Sequence, residues 1–411
     1  MNISLVILAM VFTAIAIRQI GHVKLEIWQA MSLGAAAILM TGQMTLDDAI
    51  KSVNLEVMLF LFGMFVVGQA LEESRYLSHI SYKWLQKAKS TDQLVMLILF
   101  GMGLLSALLM NDTMAIIGTP VVLLLAKKHD LPPKLLLLTL AFSITTGSVM
   151  SPLGNPQNFL IAAKIENPFS IFLRFLALPT LLNLFVVYGL LKLFFKDQFH
   201  AIPLTHSQEP IRDHRLAVLT RFSLILMILL VAGKILLAFS GANAHFRLSY
   251  IALATALPIL LLSPKRTKLI RALDWHTLIF FAAMFILMQS VWDSGLFQTL
   301  ITEKNVAITS NTTILTVSVL LSQLISNVPL VALYLPMLSH TGASPEQLIA
   351  LAAGSTIAGN LFILGAASNV IIIQNAEKRG QATLTFLDFA RIGIPLTAVN
   401  VGVYEIFLFF N

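Results

Sequence analysis

Four short polar segments lie deep inside long apolar stretches, and they are where this sequence could do chemistry. Asn111-Asp112-Thr113 sits between "GMGLLSALLM" and "MAIIGTPVVLLL", and Ser326-Asn327-Val328-Pro329 sits between "VSVLLSQLI" and "LVALYLPML". A third segment, Gly154-Asn155-Pro156-Gln157-Asn158, cannot be continuous helix, because Pro156 lacks an N–H donor and its ring clashes with the preceding turn. The fourth, Gly365-Ala366-Ala367-Ser368-Asn369, lacks proline and predicts a milder unwinding. In hydrocarbon every backbone group must be paired, so broken helices persist only where they line a protein-enclosed cavity. A helix that starts in such a place aims free N–H groups and the positive end of its dipole at the cavity, which suits an anion. Carbonyls and side-chain amides at the same break suit a cation.

Capping is the plainer account of these residues. Asn, Asp, Ser and Thr accept hydrogen bonds from the first amides of a helix, and Asp also favours the dipole's positive end. Capping explains the residue types, but not why a helix should begin inside an apolar region of about 36 residues, roughly 93–128. Asp112 carries the most information, since a carboxylate deep in a membrane protein usually marks an ion pathway or proton relay. The four segments, with Asn111, Asp112, Thr113, Gly154, Asn155, Asn158, Ser326, Asn327, Gly365, Ser368 and Asn369, are therefore expected to converge near the midplane as a binding site. Glu72, Glu73 and Asp293 fall at span ends and read as solvated; Trp275 and His276 open a span at the membrane interface. No phosphate-cradling glycine loop with lysine occurs, so the chain is read as neither an ATPase nor an enzyme, without a cofactor.

The elements around these segments must be membrane helices. The chain of 411 residues is 57% hydrophobic and 11% charged, with mean hydropathy +0.85. A soluble domain carries roughly 25% charged residues to hydrate its surface. The net charge of +7 sits in short loops, which fits the positive-inside rule better than nucleic-acid binding. Met1-Asn2-Ile3-Ser4 enters an apolar stretch without a basic region, so the first span reads as retained. The absence of cysteine excludes disulfides and thiolate metal sites.

The sequence repeats itself. Asn111 and Asn327, Pro120 and Pro336, and Pro179 and Pro395 are each 216 positions apart. "LFGMFVVGQALEES" (61–74) resembles "FAAMFILMQSVWDS" (281–294), and "SPLGNPQN" falls opposite "ILGAASN". Spans are expected near 3–20, 26–42, 54–72, an interrupted 93–128, a broken 134–163 and 169–195. They recur near 216–239, 248–263, 274–292, an interrupted 312–338, a broken 347–374 and 386–410. This gives an all-α integral membrane protein of about ten transmembrane helices and two re-entrant hairpins, with repeats at 1–195 and 216–411 and a cytoplasmic linker at 196–215. If the hairpins return to the side they enter from, each repeat crosses five times and the second is inverted. That topology puts 21 of the 27 Lys and Arg on one side and five on the other, with Lys234 inside a span. Hairpins that cross twice give the same tally, so length alone favours re-entrance. Both termini are then expected outside a cell membrane.

Asn111-Asp112-Thr113 with Thr119-Pro120, "SPLGNPQN", Ser326-Asn327-Val328-Pro329 and "GNLFILGAASNVIIIQNAEKRG" (359–380) resemble the motifs of the ion transporter superfamily. That superfamily contains arsenite permeases, NhaD-type sodium–proton antiporters, citrate permeases and divalent anion–sodium symporters. The resemblance covers essentially the whole chain and implies a homodimer whose hairpin-bearing region moves as an elevator. The divalent anion symporters carry Ser-Asn-Thr at both tips, whereas this chain has Asn-Asp-Thr and Ser-Asn-Val, closer to the arsenite-permease and NhaD side or to an anion-permease branch between them. Carried over by position, the resemblance implies Asn111, Asp112, Thr113, Asn158, Ser326, Asn327, Ser368 and Asn369 as substrate and ion contacts, with a sodium site near Asp112. The leading expectation is transport of a small inorganic or organic anion or oxyanion, coupled to a sodium ion or proton at Asp112. The alternative is cation–proton antiport with the cation on Asp112 itself.

Overall fold

The computed structural model describes residues 3–17, 19–20, 23–24, 26–76, 79–80, 88–199, 211–239, 247–295, 310–378 and 384–410. Helices α1 (Ile3–Ile17), α2 (Ile27–Met40), α3 (Leu46–Ser52) and α4 (Leu55–Ser74) come first. A hairpin of α5 (Thr91–Leu109) and α6 (Asn111–Lys128) follows. Then α7 (Pro133–Ser148) and the short α8 (Pro156–Ala162) flank an irregular stretch, and α9 (Pro168–Phe194) runs after them.

The second half has α10 (His214–Phe239), α11 (Leu248–Leu262), α12 (Arg266–Arg271) and α13 (Trp275–Asp293). Its hairpin is α14 (Asn311–Ile325) with α15 (Asn327–His340). The broken pair is α16 (Pro345–Ile357) and α17 (Ala367–Lys378), joined through 3-10 turns at Ala358–Asn360 and Ile363–Gly365, and α18 (Phe386–Phe410) ends the chain. A two-residue antiparallel pairing, Gln19–Ile20 with Val23–Lys24, lies between α1 and α2.

Six of these helices, α4, α5, α9, α10, α13 and α18, are long and apolar enough to cross a membrane; α1, α2, α11 and α14 are shorter apolar helices. The protein is thus an all-helical membrane protein. Each expected span corresponds to a helix or broken helix. Residues 200–210 of the expected linker lie outside the described residues, as do Arg18, Lys83, Lys87, Lys304 and Arg379 from the charge tally.

Between helices in lipid there is little hydrophobic gain, so close approach depends on small residues. A Cβ on Gly147 would stand 2.3 Å from the Gly103 carbonyl, which is how closely α7 lies on α5. In the second half a Cβ on Gly354 of α16 would stand 2.8 Å from the Leu315 carbonyl of α14. Gly63 of α4 meets the Ala252 backbone of α11 at 2.7 Å in the same sense. The remaining large contacts join α2 to α13, α6 to α17, α8 to α15, and α9 to α18.

Polar contacts at the helix ends fix which ends share a face. Helices α9 and α18 run antiparallel: Thr180 bonds the Tyr404 hydroxyl at 2.8 Å, while Arg391 lies 5.1 Å over the Phe194 ring. Beside that second contact, Lys192 near the end of α9 pairs with Asp92 at the start of α5, at 2.7 Å, and Lys134 pairs with Asp388 at 2.7 Å. At the opposite end of the pair, Thr312 at the start of α14 donates to Glu405. The two hairpins therefore begin at opposite ends of the α9–α18 pair.

Glu73 departs from the expectation of a solvated span end. Its side chain is 13% exposed and pairs with Lys268 at 2.7 Å, with Lys265 at 3.8 Å. Lys265 also meets Asp213 at 2.7 Å, so one cluster ties the end of α4 to the start of α10 and to the α11–α12 turn. The Leu216 N–H and the Lys265 ammonium together hold the Asp213 carboxyl below its usual range.

Candidate ion and substrate site

Most helices begin on a side-chain cap. Ser90 accepts from the Gln93 N–H, Ser310 from Thr313, Asp274 from Thr277, and Ser344 with Gln347 forms a capping box. The two hairpin tips are different. Helix α6 begins after Met110 and α15 after Ser326, and neither start has a side-chain cap. Both turn residues hold positive φ, 69° at Met110 and 70° at Ser326, a region that residues with a Cβ seldom adopt. Asn111, Asp112 and Thr113 occupy the first helical turn rather than the capping position, so the capping account does not describe them.

The first break is stitched shut from inside. Asn155 caps α8, accepting from the Asn158 N–H at 2.8 Å, and its Nδ2 donates to Thr356 Oγ1 at 3.1 Å. Asn158 Nδ2 donates to the carbonyls of Ser148, Val149 and Ser151 at 3.0–3.2 Å, and Thr356 donates to its Oδ1 at 3.1 Å. A Cβ on Gly154 would stand 2.1 Å from the Ser148 carbonyl. The backbone N–H of Asn111 reaches the Gly154 carbonyl at 2.9 Å, which locks the first tip to this break.

The second break is held more loosely. Asn369 Nδ2 donates to the Gly359 carbonyl at 2.7 Å, and Gln323 Nε2 donates to the Ala358 carbonyl at 2.8 Å. Among the described residues, Ser322 Oγ, Gln323 Oε1, Asn327 Oδ1, Asn360 Oδ1, Ser368 Oγ and Asn369 Oδ1 are buried oxygens without a hydrogen-bond partner. Around the first tip and break there are two such oxygens, Asn111 Oδ1 and Thr145 Oγ1, while Ser106 is bonded to the carbonyls of Gly103 and Ile144. Such groups are rare in folded proteins, and each unmet acceptor costs about 1–3 kcal/mol unless water or an ion meets it.

Tips and breaks border one cavity of about 790 Å³. Its wall contains Asn111 and Asp112 from the start of α6, Pro156 and Gln157 from α8, Ser326, Asn327 and Val328 from α15, and Ala366 and Ala367 from α17. Four helix N-termini thus converge on this side of it. The other wall is made by the starts of α2 and α13: Glu26, Trp28, Asp274, His276 and Thr277, with Phe280 and Phe281. Of the expected contacts, Asn111, Asp112, Ser326 and Asn327 reach the cavity, whereas Thr113, Gly154, Asn155, Asn158, Gly365, Ser368 and Asn369 stand behind its wall.

Gln157, Glu26, Trp28, Asp274 and Thr277 went unmarked in the sequence, and His276 was read only as an interface residue. Gln157 lies within a break already singled out, so its position was available. The α2–α13 wall depends on a contact between helices more than 240 residues apart, and no local pattern announces it.

Comparison with known proteins assigns this architecture to a class. Residues 7–347, well over half the chain, match the family model described as citrate transporter. The chain belongs to the citrate transporter family, and it is a membrane transporter. It is 27% identical over 401 residues to an uncharacterized transporter of Mycobacterium tuberculosis, covering 91% of each chain. It is also 24% identical to the mouse P protein, covering 96% of this chain but 58% of that longer protein. Among solved structures, the Alcanivorax borkumensis YdaH transporter superposes with a TM-score of 0.60 at 15% identity, covering 99% of this chain and 97% of that one. Neisseria gonorrhoeae MtrF gives 0.58 at 14% identity, covering 98% and 93%. At those identities the likeness is one of fold.

Proposed function

We propose that this chain is a secondary active transporter that moves a small anion or oxyanion across a cell membrane, coupled to a sodium ion or proton. One observation carries the reading: six helix starts border a single cavity, and the two at the hairpin tips have no side-chain cap. Each hairpin tip aims the positive end of its helix at the cavity, about half a charge, an anion site made without a lysine or arginine among the described residues. The coupling ion has two candidate seats. Asp112 offers a carboxylate in the first turn of α6, and the six oxygens around the second break that are unpaired among the described residues offer neutral ligands suited to a dehydrated monovalent cation.

In this reading the halves 1–195 and 216–411 are inverted copies around a cytoplasmic linker at 196–215. The support is that element order recurs, that α4–α11 and α2–α13 are exchanged contacts, and that the hairpins start at opposite ends of α9–α18. The hairpins are re-entrant within about ten crossings. Helix α5 is by itself long enough to cross, so the argument for re-entrance rests on both tips bordering one cavity. With the charge bias setting the side, the cavity opens to the cytoplasm and both termini lie outside. The hairpins, broken helices, α9 and α18 form the moving body of an elevator, and α2, α4, α11 and α13 belong to the fixed wall of a homodimer.

A second reading, cation–proton antiport on Asp112, is favoured by one specific feature. Among the described residues three carboxylates and no lysine or arginine line the cavity. The readings divide in proteoliposomes loaded with citrate, arsenite or sulfate and driven by a sodium or pH gradient. Anion uptake that Asp112→Asn uncouples from the gradient supports the first. Loss of pH-dependent sodium or lithium exchange in Asp112→Asn, with no anion flux in the unsubstituted protein, overturns it.

A further inference from the structure

The cavity has ionisable side chains at both ends. Asp112 stands at the buried end among Asn111, Gln157 and Asn327, while Glu26, Asp274 and His276 are exposed at the other. Two of the three outer groups are already engaged. Glu26 Oε2 accepts from Trp28 Nε1 at 2.6 Å, and Asp274 accepts from the Thr277 N–H at 3.1 Å and its hydroxyl at 2.6 Å. The His276 ring is stacked flat on the Trp28 indole, with centroids 4.7 Å apart and planes 9° apart. Stacking covers a face of the imidazole and leaves its two nitrogens at the ring edge. Neither His276 nor Asp112 has a hydrogen bond among the described residues, so each can exchange a proton without breaking one.

The geometry points to His276 as a proton-transfer residue that connects the cavity mouth to Asp112. Histidine serves as a proton shuttle because one ring nitrogen can release a proton while the other takes one up. Among the described residues the charged or titratable groups facing it are Glu26 on the α2 side, Asp274 at the start of α13 and Asp112 across the cavity; α17 contributes the neutral Gln374. Those carboxylates keep the mouth negative, which gathers protons from solvent. In the transfer, an imidazolium N–H bond breaks and its proton passes through cavity water to the Asp112 carboxylate, forming an O–H bond. The neutral imidazole then takes a replacement proton from solvent, and the reverse sequence returns it. A cavity of this volume has room for several waters between the two groups.

This inference rests on the reading of Asp112 as a coupling carboxylate, and the test separates the two. Protein reconstituted in vesicles with an internal pH dye is given citrate, and citrate-dependent proton movement is followed for the unsubstituted protein, His276→Gln, His276→Asn and Asp112→Asn. The expected result is proton movement abolished in Asp112→Asn and slowed by about tenfold in both His276 variants. Free imidazole should restore the His276 variants and leave Asp112→Asn unchanged, a rescue that a merely structural role would not give. Unchanged proton movement in both His276 variants, or slowing that imidazole does not relieve, overturns the role of His276 and leaves that of Asp112 standing. Unchanged movement in Asp112→Asn, or none in the unsubstituted protein, overturns the reading of Asp112 itself.

Discussion

At the first hairpin Met110 holds φ at 69° and the helix opens on Asn-Asp-Thr; at the second Ser326 holds 70° and the helix opens on Asn-Val-Pro. The backbone device is shared, and both tips deliver an uncapped helix start to the same cavity. What stands behind each tip differs. The first break closes on itself through Asn155 and Asn158, and the tip in front of it carries the Asp112 carboxylate. Among the described residues the second has six buried oxygens without a partner, against two around the first, and no charge at its tip. Two starts of one shape thus carry different groups: a carboxylate at one, a set of neutral oxygens behind the other.

The comparison can be broken first at the glycines. Gly154→Ala places a methyl 2.1 Å from the Ser148 carbonyl, with only backbone to move, whereas Gly365→Ala meets the Ala358 carbonyl at 2.5 Å and the Gln323 side chain at 2.8 Å. Thermal unfolding in detergent should register the larger loss at Gly154, about 3 kcal/mol, and a smaller one at Gly365. Equal losses would mean that the two breaks are equally rigid.

Next come the asparagines. Asn158→Ala strands three carbonyls and should cost about 2–3 kcal/mol in the same assay, against about 1 kcal/mol for Asn369→Ala, which loses one bond. The order should invert in sodium dependence: Asn369→Ala and Ser368→Ala weaken stabilisation by sodium, while Asn158→Ala leaves its midpoint in place. A sodium midpoint that moves with Asn158 and not with Asn369 would reverse the assignment of the two breaks.

The smallest effect concerns the turns. Ser326→Gly relieves the positive φ of the second tip and should change stability by no more than about 1 kcal/mol, in the stabilising direction, without altering substrate-induced thermal shifts. A large loss there would show that the serine side chain itself, not the turn, holds the tip.

Much of the architecture was legible because its signals are local. Apolar runs gave the helices, Pro156 gave the α7–α8 break, and the recurrence at 216 residues tied the two tips together. The division of labour inside the site was not legible. Asn155 and Asn158 carry the same polar groups as Asn111 and Asn327, and only the fold decides which amides close a break and which face the cavity. Nothing local distinguishes Glu26 or His276 from ordinary interfacial residues; they matter because α2 and α13 pack against each other.

The central claim is that both uncapped helix starts serve one binding site reached from one side. Because the chain contains no cysteine, a single introduced thiol reports only on its own position. Asp112→Cys and Val328→Cys, reconstituted in oriented vesicles, can be treated with a membrane-impermeant maleimide with and without citrate, arsenite or sulfate. The account predicts that both thiols are modified from the face bearing the starts of α2 and α13, and that one and the same anion protects both. Modification from opposite faces, or protection of one tip and never the other by every anion, would contradict it.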